Sequence, residues 1–110
     1  MSRIDEYRVM WVFVFFDLPT DTKKEQKTAA KFRKDLIGDG FVMFQYSIYI
    51  RNCPSAENAS THIGRVKKFL PSNGKVGIIR ITDKQFADME LFVGRENDKR
   101  PSIGQQLELF

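Results

Sequence analysis

Asp17 is the residue of this chain whose position most favours chemistry. It directly follows an unbroken apolar run, Val9–Phe16, and Pro19 comes two residues later. A carboxylate placed where a buried strand emerges could bind a divalent cation, and such an ion can hold the water that phosphodiester hydrolysis needs. The same carboxylate could instead cap the turn that follows the strand. The residue types alone slightly favour the cap and leave both interpretations open.

A second set of candidate residues is basic. On one side of a predicted helix, lysines recur at helical spacing: Lys23, Lys27, Lys31 and Lys34. Charged helix faces are usually only solvated, so an ordinary exposed face is the first interpretation of this lysine stripe. The formal net charge of +4 and the pI of about 9.3 are compatible with nucleic-acid binding but do not require it.

The remaining reactive side chains offer less. His62 is the only histidine, and the sequence places no second ligand near it, so a structural or exposed role is favoured over a catalytic one. Cys53 is the only cysteine, which excludes an internal disulfide and a cysteine metal cluster.

The first half of the chain predicts a strand, a helix and one or two further strands. The run Val9–Phe16 has strand length and no alternation, so both of its faces should be covered. Thr22 and Glu25 fit a capping box for a helix that ends at residues 38–40. From Phe44 to Arg51 apolar and polar residues alternate as in a half-buried strand. A separate short strand over 41–44, with a turn near residues 45–46, is the alternative.

The second half predicts a helix, a strand and a small appendix. Ser55 is a suitable N-cap for a helix. Its buried side would comprise Ala59, Ile63, Val66 and Leu70. A strand over 75–82 follows, then a short turn capped by Thr82, and then an edge strand over 91–93.

The order of these elements predicts an α+β fold, a ferredoxin-like βαββαβ sandwich with a short extra C-terminal edge strand. Residues 1–94 would form this domain, and residues 95–110 a polar tether and an apolar tail. Two helices cover only one face of the sheet, yet the first strand is apolar on both. We therefore expect a sheet-to-sheet homodimer. Two copies of Asp17 would then share one cleft, where a cation such as Mg²⁺ relieves their repulsion.

The sequence also bears on location. No stretch approaches the roughly 20 apolar residues of a membrane span, and the first residues do not resemble a signal peptide. We expect no membrane partner and a cytoplasmic protein.

Several short motifs resemble CRISPR-associated protein 2, the small subunit of the CRISPR spacer-acquisition complex. They are Phe16-Asp17-Leu18-Pro19, Phe32-Arg33-Lys34, Gly40-Phe41 and Gln45-x-Ser47-Ile48-Tyr49. The segment 82–89 followed by Gly94 is similar to members that accompany type II systems. The resemblance covers nearly the whole chain, and the order and spacing of the motifs are more specific than any one of them.

The resemblance implies a ferredoxin-like homodimer whose last short strand, here 91–93, crosses to the partner's sheet. It implies that the dimer bridges two dimers of the larger CRISPR-associated integrase and holds a double-stranded protospacer DNA. For some members it also implies a Mg²⁺- or Mn²⁺-dependent endonuclease activity on RNA or DNA, with Asp17 as metal ligand and catalytic residue. The apolar tail, 107–110, is a candidate for docking on the integrase.

The resemblance also changes the interpretation of the basic residues. A scaffold that holds duplex DNA by its phosphates needs point charges, because phosphate contacts position a duplex without specifying its sequence. Candidate contacts are Lys23, Lys24, Lys27, Lys31 and Lys34 on the helix, with Arg33 and Arg51 nearer the dimer cleft.

Two alternatives remain. One is a free-standing metal-dependent endoribonuclease. The other is an RRM-type module that binds single-stranded RNA, suggested by the segment 40–44. An RRM leaves its sheet face exposed to stack bases, whereas the first strand here is too apolar for either of its faces to be exposed to solvent. The RRM alternative is therefore the less favoured of the two.

Overall fold

The structure, a computed structural model, describes residues 9–94 and 96–97. The predicted tether and apolar tail, apart from residues 96 and 97, lie outside the described residues. Four strands form the main sheet: β1 (Met10–Asp17), β2 (Val42–Gln45), β3 (Ile48–Cys53) and β4 (Lys75–Thr82). Their order is β2-β3-β1-β4, and every neighbouring pair is antiparallel. This arrangement confirms the predicted ferredoxin-like fold.

Two long helices pack on one face of the sheet, as predicted. Helix α1 (Lys23–Gly38) begins with the capping box of Thr22 and Glu25, and helix α2 (Ala56–Lys68) begins after Ser55, whose side chain accepts from Asn58 N. Both caps satisfy backbone donors that the first helical turn leaves unpaired. The core between helices and sheet contains Val12, Val14, Phe16, Phe32, Leu36, Phe41, Tyr49, Cys53, Ala59 and Val66.

Leu70 does not join this core. The prediction that it continues the buried side of α2 is wrong, because the helix ends at Lys68 and the leucine is 44% exposed. Phe69, the C-cap residue, packs against the core in its place.

The alternative with a separate short strand is confirmed for the middle of the chain. A turn at Tyr46 and Ser47 divides β2 from β3, so the prediction of one strand from Phe44 to Arg51 is wrong. Ser47 has a φ of 72°, in the left-handed region. After the turn, Tyr49 is buried on the helix-covered face and Ile50 is buried on the other face.

The other face of the sheet is partly covered from within the chain. A third helix, α3 (Asp83–Asp88), begins with a capping box at Thr82 and packs Phe86 against Trp11. This helix was predicted only as a short turn, without a role in covering the sheet. Beyond it, Phe15 stays 47% and Ile79 51% exposed. We call this uncovered part the open face; the homodimer that would cover it stays a prediction.

The predicted edge strand exists as β5 (Phe92–Val93) and pairs antiparallel with β6 (Glu96–Asn97). The two form a small sheet separate from the main one. Within the described residues, no helix has both the length and the apolar character needed to cross a membrane.

Candidate functional site

Asp17 is the last residue of β1 and lies on the same side of the sheet as Phe15 and Phe13, because alternate residues of a strand share a face. Its register partner on β4 is Lys75. The side chain is exposed, and within the described part of the chain no hydrogen bond or ion pair to its carboxylate is found. The turn-capping interpretation therefore finds no support, and the carboxylate is available to a ligand.

An open, mostly apolar groove surrounds Asp17. Its lining comes from three neighbouring segments of the sheet, 15–17, 46–48 and 75–77. The antiparallel register brings these segments together, since Phe15 is opposite Ile48 on one side and Gly77 on the other. The Phe15 ring lies so close over Gly77 that a Cβ there would overlap it. Glycine thus lets the ring lie across the floor of the groove.

Arg33 reaches from α1 to one wall of this groove. Its guanidinium lies over the ring of Tyr46, with Cζ 4.1 Å from the centroid, and over that of Phe16, at 5.1 Å. Arg33 Nη2 donates a hydrogen bond of 2.9 Å to Ser47 Oγ. The amide of Phe16 in turn donates to the carbonyl of Ser47 at 3.0 Å. The arginine therefore holds the turn between β2 and β3 against the end of β1.

The lysine stripe lies apart from the groove. All of the predicted DNA contacts on α1 are exposed: Lys23, Lys24, Lys27, Lys31 and Lys34. Lys31 forms an ion pair with Asp35 at 2.7 Å, and the lysine side chain is still well exposed. None of these lysines is among the residues that line the Asp17 groove. Exposure is a requirement for phosphate contact, and the stripe meets it.

Arg51 does not lie near the predicted cleft, which corrects that expectation. It pairs in register with buried Val12, and so projects to the face that the helices cover. There its guanidinium lies against Gly40, where a Cβ would overlap it. The residues of β3 alternate between the two faces as predicted, but their pairing with β1 turns the side of Tyr49 and Arg51 toward the helices, which the alternation alone did not reveal.

His62 has the structural role that the sequence favoured. It is 6% exposed, and its Nδ1 lies 2.8 Å from Asp39 Oδ2. Arg65 Nη1 donates to the other oxygen of Asp39 at 3.0 Å. Asp39 follows α1, so this cluster fastens the end of α1 to α2. Neither His62 nor Arg65 lines the Asp17 groove.

A metal ion at Asp17 would have one acidic ligand from each chain. No cluster of three or more histidine, cysteine, aspartate or glutamate side chains that could hold a metal is found among residues 9–94 and 96–97. Mg²⁺ retains several waters and needs only one or two carboxylates, so an exposed aspartate without a hydrogen bond or ion pair to any described residue fits it. Two copies of the chain would supply the two carboxylates of the predicted site.

Sequence reasoning missed Tyr46 as a residue of the site. The first interpretation placed the tyrosine on the dry face of an alternating strand, and the alternative placed it near a turn without giving it a function, whereas the residue is 75% exposed at the turn. The alternative with a short strand over 41–44 carried the signal, because a turn directly after that strand places residue 46 at the surface.

Comparisons with known proteins identify the family. Residues 10–89 match the family model described as CRISPR associated protein Cas2. The chain is 55% identical over 109 residues to the CRISPR-associated endoribonuclease Cas2 of Flavobacterium psychrophilum, covering 99% of this chain and 95% of that protein.

Two further relatives carry the same name. The protein of Parvibaculum lavamentivorans is 48% identical over 101 residues, covering 92% of this chain and 100% of its own length. The protein of Streptococcus mutans is 37% identical over 89 residues, covering 81% of each. Because the family model and these relatives span most of the chain, the chain belongs to the CRISPR-associated protein Cas2 family.

Proposed function

We propose that this chain acts in CRISPR spacer acquisition, as a homodimer that bridges two dimers of the larger integrase and holds a protospacer DNA duplex. The observation that carries the proposal is the open face of the sheet, where Phe15 and Ile79 stay about half exposed beside a buried aromatic cluster. An apolar sheet face of this kind is a typical protein–protein interface. A second copy packed through it buries these side chains and adjoins the two Asp17 carboxylates.

The exposed lysines of α1 support the DNA part of the proposal. Lysine ammonium groups contact phosphates as point charges, which suits a duplex held without regard to sequence. Such binding releases counterions, so affinity for duplex DNA should fall steeply as salt rises. The family membership supports the CRISPR context, and a cytoplasmic location follows from the proposed partners.

The assembly can be tested by light scattering on the purified chain and on the chain co-expressed with the integrase. We expect the 12.8 kDa chain to form a dimer and to co-purify with the integrase. Phe15→Asp places a charge on the open face and should give a monomer that no longer joins two integrase dimers. Ala56→Asp, at an exposed position on α2, is the matched control and should dimerise normally. A wild-type monomer at micromolar concentration would contradict the proposal.

A second candidate function is a metal-dependent endoribonuclease. The Asp17 carboxylate favours it, because it is exposed and free of ion pairs within the described part of the chain, and the relatives named above are called endoribonucleases. Asp17 from each of two copies would hold Mg²⁺ or Mn²⁺, and the bound ion supplies Lewis-acid activation of a water. Lys75, the register partner of Asp17, places a positive charge beside the carboxylate that can attract a substrate phosphate.

This candidate predicts cleavage of RNA, or of DNA, that requires Mg²⁺ or Mn²⁺ and disappears in Asp17→Asn. The control is Asp21→Asn, at another exposed aspartate in the loop after β1, which should cleave as the wild type does. Cleavage that persists in Asp17→Asn would point to another site or to a contaminating nuclease, and would remove this candidate.

A further inference from the structure

Tyr46 is a large aromatic side chain at the surface that the proposed scaffold and metal site leave without a role. It is 75% exposed, at the turn between β2 and β3. Tyrosine is enriched at binding interfaces, because its ring is apolar while its hydroxyl can still form a hydrogen bond. The side chain is therefore a candidate for contact with a ligand.

The structure holds this exposed ring in place. The Arg33 guanidinium lies against one face of it at 4.1 Å and is itself fixed by its hydrogen bond to Ser47. With one face against Arg33 and three quarters of the side chain accessible, the other face is open to solvent. A ring fixed in this way loses little conformational freedom on binding, which lowers the entropic cost of stacking a ligand on it.

The position of the ring indicates the chemical class of ligand that would bind there. Tyr46 lines the groove of Asp17 on the β3 side of β1, and Lys75 lines it on the β4 side. A ligand across this groove meets a flat aromatic surface, a carboxylate that can hold a cation, and an ammonium group. A nucleotide combines the matching features, since its base stacks on aromatic rings and its phosphate binds cations.

We infer that Tyr46, supported by Arg33, is a stacking platform for one unpaired nucleobase of a nucleic acid that crosses the Asp17 groove. The inference rests on the proposal that this chain handles nucleic acid, and it names the feature that the groove recognises. A base inside an intact duplex is stacked on both sides and cannot use the platform, whereas a base in a single strand can. Arg33 is then a positioning residue rather than a phosphate contact.

The test uses the full-length chain and a short single-stranded oligonucleotide that carries one 2-aminopurine, whose fluorescence is quenched by stacking. The measurement is made in EDTA, so cleavage plays no part. We expect quenching and binding by the wild type. We expect Tyr46→Ala to bind about 5- to 140-fold more weakly, with the quenching lost. Tyr46→Phe keeps the ring and should bind within about twofold of the wild type. RNA and DNA versions of the oligonucleotide show which sugar is preferred.

Arg33→Met provides a test of the positioning role. It removes the guanidinium and should weaken binding of the oligonucleotide, but the double variant with Tyr46→Ala should bind no more weakly than Tyr46→Ala alone, because both changes disable one platform. A blunt duplex without an unpaired base should bind Tyr46→Ala and the wild type equally well.

Three results would overturn the inference. The first is unchanged quenching and affinity in Tyr46→Ala, and the second is an equal loss of affinity for the blunt duplex. The third is a weaker homodimer in Tyr46→Ala by light scattering, which would mean that a second copy covers the ring. These readouts are independent of spacer acquisition and cleavage. If the wild type quenches the 2-aminopurine normally but supports neither spacer acquisition nor cleavage, that result would count against the proposed function and not against the stacking platform.

Discussion

Trp11 and Phe86 are stacked on the sheet face opposite the two long helices, with ring centroids 4.1 Å apart and an angle of 17° between the planes. Trp11 is fully buried by this contact, and its indole Nε1 donates a hydrogen bond of 2.7 Å to Asp83 Oδ1. The short helix α3 therefore covers one end of this sheet face and leaves the other end, around Phe15, for a partner. This division decides which apolar residues stabilise the single chain and which are available for the proposed dimerisation.

Phe86→Ala should destabilise the fold, because it removes the buried ring that stacks on Trp11. We expect a loss of about 3–5 kcal/mol in the free energy of unfolding, measured by urea denaturation. The emission of Trp11, the only tryptophan, should also shift to longer wavelength as the indole meets water. Lys84→Ala, on an exposed position of the same helix, should change stability by less than about 1 kcal/mol. An unshifted emission spectrum in Phe86→Ala would contradict the role given to α3.

Gly77→Ala should weaken the proposed homodimer while preserving the fold. The added Cβ overlaps the Phe15 ring, which is half exposed and can move away from the sheet surface. The displaced ring would disturb packing across the open face, so we expect the dimer dissociation constant to rise about fivefold or more. Gly64→Ala is the control, because a Cβ there has nothing within 4 Å. An unchanged dissociation constant in Gly77→Ala would show that dimerisation uses another surface.

Asp39→Ala should destabilise the contact between α1 and α2. It leaves buried His62 without its carboxylate partner and removes the acceptor of Arg65. We expect a loss of about 1–3 kcal/mol in the free energy of unfolding. Asp35→Ala removes an ion pair whose lysine is well exposed, and should cost less than about 1 kcal/mol. Equal losses in the two variants would mean that the buried cluster contributes no more than a surface pair.

Cys53 should react slowly with iodoacetamide in the native protein. Burial raises the pKa of its thiol above the ordinary value of 9.0, and the nearby charge of Arg51 offsets only part of this effect. The thiolate is the reactive form, so at about pH 8 the native rate should be far below that in denaturant. Above pH 9.0 the unfolded chain loses this thiol proton more readily than the native chain does. Ionisation of Cys53 therefore lowers the free energy of unfolding as the pH rises. Equal alkylation rates in native and unfolded protein would contradict this.

Much of the fold could be predicted because local signals coincide with the structure. The capping box at Thr22 and the strand over 75–82 agree with the observed bounds of α1 and β4. The turn at 46–47 was harder to place, because it lacks the Asn-Gly or Asp-Gly pair that commonly marks a two-residue hairpin. Arg51 was placed on the wrong side for another reason, because alternation shows which residues of β3 share a face but not which face the helices cover.

The candidate site was predictable only in its central residue. Asp17 could be found because a carboxylate at the end of an apolar strand stands out from its neighbours. The contact of Arg33 with Tyr46 joins the middle of α1 to a turn beyond the helix, and helical spacing says nothing about such a tertiary contact. The covering of Trp11 by α3 was missed for a similar reason, since a helix of 6 residues gives too short a pattern to show which surface it packs against.

The frequency of new spacers in cells would show whether this chain serves spacer acquisition as the dimeric scaffold that we propose. Cells that lack the chain would be complemented with the wild type, Asp17→Ala or Phe15→Asp. We predict that Asp17→Ala restores acquisition to nearly the wild-type frequency, and that Phe15→Asp does not, because it cannot dimerise. Loss of acquisition in an Asp17→Ala variant that still assembles with the integrase would mean that the chain is more than a scaffold in spacer acquisition.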